Sequence, residues 1–302
     1  MIEKAYAKIN IGLNVLNKRD DGYHNLETIM VPLELHDSLD VTLLPSNAHD
    51  DYITCDEYSL KIAQYNLCHK AINLCREKWG FKDKFRIEIH KNIYLQAGLG
   101  GGSADGAATI RAIVKLLKIE TTDEEIRDLA IKLGSDVPFA YFNKPALVTK
   151  KGEELSFFEH HRNDYILLVK PKAGLSTRDV FEKSDLLDHT YCDLNEIKEL
   201  FINDDPALYE KCLNGLVPAS YSLLPELAEL EKTLKDEGFD FVIMTGSGST
   251  MACFTKNKKL AYKTEAKFDK LGYQVETTTF HFDKPKKECP FKKIFKKKKK
   301  DK

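Results

Sequence analysis

Apolar and polar residues alternate at period two in Lys8-Ile-Asn-Ile-Gly-Leu-Asn-Val15, which predicts a strand. Ile9, Ile11, Leu13 and Val15 share one face, and Lys8, Asn10, Gly12 and Asn14 share the other. A polar strand face is ordinarily solvent-exposed, but asparagine is depleted in strands, so this face reads either as plain surface or as a site wall. Lys18-Arg-Asp-Asp-Gly-Tyr-His24 then reads as a turn around Asp21-Gly22. Strands follow at about 26–35 and 39–44. Helical spacing of Leu60, Ala63, Leu67, Ala71 and Leu74 predicts a helix over 59–79, stopped by Gly80. Phe85, Ile87 and Ile89 alternate as a strand. The glycine cluster Ala97-Gly-Leu-Gly-Gly-Gly-Ser-Ala104 runs into a helix with Ala107, Ile110, Val114 and Leu117 facing inward. Thr122 and Glu125 spell a capping box for a helix ending at Gly134. Pro138 suits the first turn of another helix, begun by Ser135-Asp-Val-Pro-Phe139.

Between 154 and 164 the pattern dissolves into charged, histidine-containing sequence, which predicts a domain boundary. The expected units are 1–158, 159–283 and a tail, 284–302. The second unit reads as a strand at 165–170, several helices, strands at 239–244 and 251–254 around a Gly-Ser turn, a helix near 259–271 and a strand at 274–278. Strands and helices mix without regular alternation and no internal repeat occurs, so the fold class is α+β rather than a parallel α/β sheet.

The 302 residues are 42% apolar and 31% charged, a globular composition. Formal charge is 46 minus 47, or −1. From Lys284 onward there are 11 Lys and 2 acidic residues, a net +9, so the remaining 283 residues carry 35 basic and 45 acidic side chains, a net −10. An acidic body argues against nucleic-acid binding by the folded part. The Lys296–300 run repels itself, which predicts a solvated appendage or a weak contact with nucleic acid or anionic lipid. No apolar run approaches the roughly 18 residues of a membrane span, and the first residues lack a signal peptide's apolar segment. Seven cysteines without a Cys-x-x-Cys pair argue against a disulfide framework or zinc site. They point to a reducing, cytoplasmic setting. Cys68 and Cys75, seven apart on the predicted helix, read as core.

The glycine cluster carries the clearest chemistry. Glycines let main-chain N–H groups approach an anion, and the following helix turns its positive end to the same spot. A phosphate cradle and a tight strand-to-helix turn both fit that description. No Gly-Lys-Ser/Thr ends the loop, so it is not a Walker A motif. The dinucleotide pattern fails at Ser103, and the protein-kinase signatures His-Arg-Asp and Asp-Phe-Gly are absent.

Gly98-Leu-Gly-Gly-Gly-Ser-Ala-Asp105 resembles the phosphate loop of the GHMP kinases. Ala7-Lys-Ile-Asn10, Asp21-Gly-Tyr-His-Asn-Leu-Glu-Thr28 and Gly134-Ser-Asp-Val-Pro-Phe139 narrow the resemblance to the 4-diphosphocytidyl-2-C-methyl-D-erythritol kinases of that superfamily, and Thr245-Gly-Ser-Gly-Ser249 is similar to its C-terminal glycine motif. The resemblance spans about residues 1–279 and implies a two-domain GHMP kinase fold, with a glycine-rich phosphate loop in the first domain and a ferredoxin-like second domain. It implies ATP and a small-molecule substrate carrying a cytidine diphosphate group; Mg²⁺ is expected on general grounds, and no nucleic-acid partner is expected of the acidic folded body, nor a membrane partner. No motif bears on oligomeric state. The catalytic pair it implies is Lys8 and Asp136, although Asp136 also reads as a helix cap. Gly98, Leu99, Gly100, Gly101, Gly102, Ser103 and Ala104 correspond to the ATP loop, with Ser103 a metal or phosphate contact. Asn10, Tyr23, His24 and Phe181 correspond to substrate-binding positions, though Phe181 also reads as core. Gly246, Ser247 and Gly248 form the C-terminal glycine motif. Three departures stand out: Tyr94 where proline is usual, Lys150-Lys-Gly-Glu153 in place of Gly-Arg-Gly-Glu, and Gly106 in place of alanine. Alternatives are a GHMP kinase for a sugar or mevalonate, a silent nucleotide-binding regulator, and an RNA-associated protein acting through the tail.

Overall fold

The computed structural model describes residues 1–57 and 67–282. The first part of the predicted 59–79 helix, the basic tail and Cys289 therefore lie outside the described residues. Six strands build the first sheet: β1 (Ile2–Lys18), β2 (His24–Leu43), β3 (Tyr52–Cys55), β4 (Phe85–His90), β5 (Ala146–Lys150) and β6 (Glu154–Phe157). Helices α1 (Leu67–Trp79), α2 (Gly101–Leu116), α3 (Asp123–Leu133) and α4 (Val137–Phe142) fall between β3 and β5 in the chain. The second sheet holds β7 (Tyr165–Lys170), β8 (Phe241–Met244), β9 (Met251–Thr255) and β10 (Gln274–Thr278). Helices α5 (Thr177–Ser184), α6 (Leu194–Ile202), α7 (Leu208–Lys211), α8 (Val217–Leu223) and α9 (Glu226–Asp236) link β7 to β8, and α10 (Lys258–Lys270) links β9 to β10. The second sheet is antiparallel, ordered β10-β7-β9-β8. In its own count that is fourth, first, third, second, with helical crossovers after the first and third strands, the ferredoxin-like arrangement.

β2 replaces the two strands predicted at 26–35 and 39–44. The polar residues suggesting a break include Asp37, which is fully buried. Its carboxylate accepts from Lys91 Nζ at 2.5 Å and from the N–H groups of Asn92 and Ile93 at 2.6 and 2.8 Å. A partnered acid inside a strand looks like surface to hydropathy alone. β1 runs along one edge of β2. The other edge pairs in turn with β5, with the 279–281 segment and with β4. Strands β3, β5 and β6 went unpredicted; β6 is an edge with only Leu155 buried, so it lacks a clear apolar period.

The polar face of β1 is not solvent-exposed: Lys8, Asn10 and Asn14 are all buried. Ile9 and Ile11 pack with Ile166, Leu168 and Phe254, joining the first sheet to the second through one core. The capping box of α3 is present in both halves, and Cys68 and Cys75 lie in the core between helices and sheet. Gly106 has a packing reason, since a Cβ there would lie 2.8 Å from Leu133 Cδ2. No helix among the described residues is long and apolar enough to cross a membrane.

Between the sheets, buried Arg162 pairs with buried Asp164 through bonds of 2.9 and 3.2 Å. Removing one partner strands the other's charge. Asp164→Ala should cost about 3 kcal/mol in urea denaturation, the low end for a broken buried pair, because Asp204 still faces Arg162 at 3.0 Å.

Candidate active site

Lys8, projecting from β1, donates to Asn10 Oδ1 at 2.7 Å and lies 3.6 Å from Asp136 Oδ2. Asn10 in turn donates to Thr28 Oγ1 at 2.9 Å, and Thr28 donates to the Gly12 carbonyl at 2.7 Å. Both ends of the Asn10 amide are thus bonded within the protein. Asn10 supports Lys8, and its amide, with a second N–H beyond the one given to Thr28, keeps the capacity to meet substrate. Asp136 immediately precedes α4, but its side chain makes no capping hydrogen bond. The capping reading is corrected: α4 begins on Pro138's fixed geometry, and the carboxylate turns to Lys8.

The glycine loop leads into α2, a sixteen-residue helix. Gly98 and Gly100 both have φ of +71°, a region open to glycine at little cost. Sterics add to this: a Cβ on Gly98 would sit 2.2 Å from the Thr245 carbonyl oxygen. Leu99 points into the core and its carbonyl accepts from Lys8 N–H at 3.0 Å. The first turn of α2 leaves its N–H groups aimed at a cavity of about 330 Å³. Lys8, Asn10, Asp136, residues 98–103, Gly246 and Ser247 line it. Ala104 does not: it is buried, and its N–H bonds Gly100 O at 2.9 Å. Gly248 also faces away, toward Met244 and Leu175. The Thr245–Gly246 turn is held by Asn214, whose Nδ2 donates to the Met244 and Gly246 carbonyls at 2.8 Å each.

A second cavity, of about 900 Å³, is lined by Lys18, Tyr23, His24, Lys151, Asp185 and others. Ser103, Asp136, Thr177 and Phe181 line both cavities. His24 is buried, stacks on Phe181 with centroids 5.0 Å apart, and meets Asp185 at 2.5 Å. Phe181 also packs against the second sheet's core, as its core reading expects, and lines the cavity as well. Tyr23 is half exposed at the rim, with Lys151 Nζ 3.6 Å from its ring centroid. Sequence reasoning gave no role to Thr28, Asn214, Thr245 or Asp185. Thr28 and Thr245 lie inside motifs that the sequence did single out; Asp185 carries no local signal.

Comparisons with known proteins agree with this fold. The model of the GHMP kinases N terminal domain matches residues 66–144. A 4-diphosphocytidyl-2-C-methyl-D-erythritol kinase from Bacillus cytotoxicus is 34% identical over 257 residues, covering 83% of this chain and 86% of its own. The chain belongs to this kinase family. A solved 4-(cytidine 5'-diphospho)-2C-methyl-D-erythritol kinase has a TM-score of 0.78 at 26% identity, covering 94% of this chain and all of its own. A homoserine kinase from Cytophaga hutchinsonii shares the fold at 16% identity, with a TM-score of 0.68 and coverage of 93% and 94%.

Beneath the loop of this family member lies a buried triad. Lys91 Nζ bonds Asp37 at 2.5 Å and Asp105 at 2.7 Å, while Asp105 Oδ1 has no hydrogen-bond partner among the described residues. Burial outweighs the Lys91 charge and, with Asp37 adding to it, pushes the Asp105 carboxyl up to about 7. A raised folded-state value means that the acid form is favoured in the fold, so stability is lost as pH rises through that value. Asp105→Asn, which stays neutral, should gain stability relative to wild type between pH 4 and 8. The two proteins should converge below about pH 4, as read by melting temperature. A constant difference across that window would contradict the assignment.

Proposed function

We propose that this kinase transfers the γ-phosphoryl group of ATP to the 2-hydroxyl of 4-diphosphocytidyl-2-C-methyl-D-erythritol, a step of the non-mevalonate route to isoprenoid precursors. One observation carries the reading: Lys8 and Asp136 stand where a cavity floored by the glycine loop meets a second cavity walled by His24 and Phe181. The smaller cavity suits a polyphosphate, because the N–H groups of Gly101, Gly102 and Ser103 open the helix that points at it. The larger suits a nucleoside, with the Phe181 ring as a stacking face and His24 as a hydrogen-bonding edge. The acceptor hydroxyl then falls beside Asp136.

At 3.6 Å the Lys8–Asp136 contact is an ion pair longer than a hydrogen bond. The carboxylate therefore keeps an oxygen free for the substrate hydroxyl. Phosphoryl transfer through a loose transition state requires little proton removal before bond formation. A weak base in the right place is sufficient. Asp136 orients the hydroxyl and takes its proton as the new P–O bond forms; Lys8, held by Asn10, offsets charge on the moving phosphoryl group.

No group of three or more His, Cys, Asp or Glu side chains among the described residues could hold a metal ion. That fits a magnesium carried mainly by nucleotide phosphates and water. Ser103, whose side chain lines both cavities, would contact it. Bound there, the ion would neutralise phosphate charge.

ATP consumption measured in parallel with the cytidylated substrate, mevalonate, homoserine and galactose should show turnover with the first alone. Turnover of mevalonate and not of the cytidylated compound would sink the reading. Asp136→Asn should lower turnover by about 100-fold or more with little change in ATP affinity. Combined with Lys8→Ala it should lose less than the product of the single losses. Near-normal turnover of a folded Asp136→Asn enzyme would remove Asp136 from the chemistry.

A further inference from the structure

Asp185 follows the last residue of α5, four positions beyond Phe181 and on the same helix face. Its two carboxylate oxygens reach different side chains of the β1–β2 hairpin. Oδ1 meets Nε2 of His24 at 2.5 Å, and Oδ2 accepts from Nζ of Lys18 at 2.5 Å. A carboxylate at a helix C-terminus faces the negative end of the helix dipole. Nothing within α5 rewards it there; the partners lie 161 and 167 positions away in sequence. The Lys18 hydrogen bond, joined by that of His24, holds the Asp185 carboxyl below the usual carboxylate range.

An ionised carboxylate only accepts, so Nε2 must carry the proton in that bond. The neutral ring is then left with Nδ1 as a bare acceptor. No hydrogen bond joins that nitrogen to protein among the described residues, nor is it sealed from the cavity that His24 lines. The imidazole and the Phe181 ring are within 21° of parallel. A base coplanar with the imidazole would therefore lie nearly parallel to Phe181, with its edge toward Nδ1. Cytosine and uracil differ at that edge: position 4 carries an amino donor in one and a carbonyl acceptor in the other.

We propose that Asp185 is a specificity-determining positioning residue, which holds the Nε2–H of His24 and so presents Nδ1 as an acceptor for the amino group of cytosine and against the 4-carbonyl of uracil. The inference rests on the assignment of His24 to the cytidine group. Lys18 keeps the carboxylate charged and aligned, and Phe181 sets the plane. The arrangement discriminates by mismatch as much as by attraction, since a uridine would set two acceptors against each other.

The test compares kcat/KM for the cytidylated substrate and its uridine counterpart in wild type, Asp185→Asn, Asp185→Glu and His24→Ala. Wild type should prefer cytidine. Asp185→Asn should lose about tenfold or more of that preference, through a higher KM for the cytidylated substrate. KM for ATP should hold, and Asp185→Glu should recover part of the loss. Nitrogen-15 spectra of His24 should show the Nε2-protonated tautomer in wild type and a mixture in Asp185→Asn, which reports on the bond even if turnover is low. If His24→Ala loses the preference while Asp185→Asn keeps it, with the tautomer unchanged, the positioning role of Asp185 is overturned. If wild type shows no preference for cytidine, the assignment of His24 itself fails.

Discussion

Three backbone segments meet around Lys8 with no room for a side chain between them, and every other feature of the site depends on that approach. A Cβ on Gly98 would overlap the Thr245 carbonyl; one on Gly100 would press on Lys8 Cγ at 3.0 Å; one on Gly246 would meet Gly98 O at 3.1 Å and Lys8 Nζ at 3.3 Å. Hydrogen bonds join the segments: Lys8 N–H to Leu99 O at 3.0 Å and Asn10 N–H to Thr245 Oγ1 at 3.1 Å. The glycine loop belongs to the first part of the chain and the Thr245–Gly248 turn to the last. Their contact places an ammonium, a carboxylate and a helix N-terminus in one cleft. The glycines serve closeness first and conformation second.

The cleft then divides its labour by chemistry. Unpaired N–H groups and a helix dipole suit the polyphosphate side, while rings and a hydrogen-bonding imidazole suit the nucleoside side. Asp136 stands at the seam because α4, with Pro138 in its first turn, makes no capping bond to the acid, which turns to Lys8. Such separation fits a reaction in which positioning and charge compensation do most of the catalysis. The Asp37–Lys91–Asp105 triad supports the loop from below, tying the end of β4 to β2 and to the first turns of α2.

Much of this was legible in the sequence because local rules and tertiary outcome agree. The period-two pattern of β1, the capping box of α3 and the two glycine motifs each describe nearby residues, and each appears where its spacing implies. What hydropathy misread was buried polarity. Asp37 looked like a break in β2, and the Lys8–Asn10 face could pass for surface, because their partners lie far along the chain. Asp136 shows the same limit from the other side: its place before α4 suggested a cap, while the structure shows no capping bond and a carboxylate turned to Lys8. Asp185 could not be found by any pattern, since both partners of its carboxylate lie more than a hundred positions away.

The most direct test of the account is a structure of the ternary complex with a non-hydrolysable ATP analogue and the cytidylated substrate. The account predicts the triphosphate against the first turn of α2, the cytosine nearly parallel to the Phe181 ring with its edge toward His24, and the acceptor hydroxyl within hydrogen-bond distance of Asp136, in line with the terminal phosphate. A complex with the two nucleotides exchanged between the cavities, or with the hydroxyl out of reach of Asp136, would contradict it.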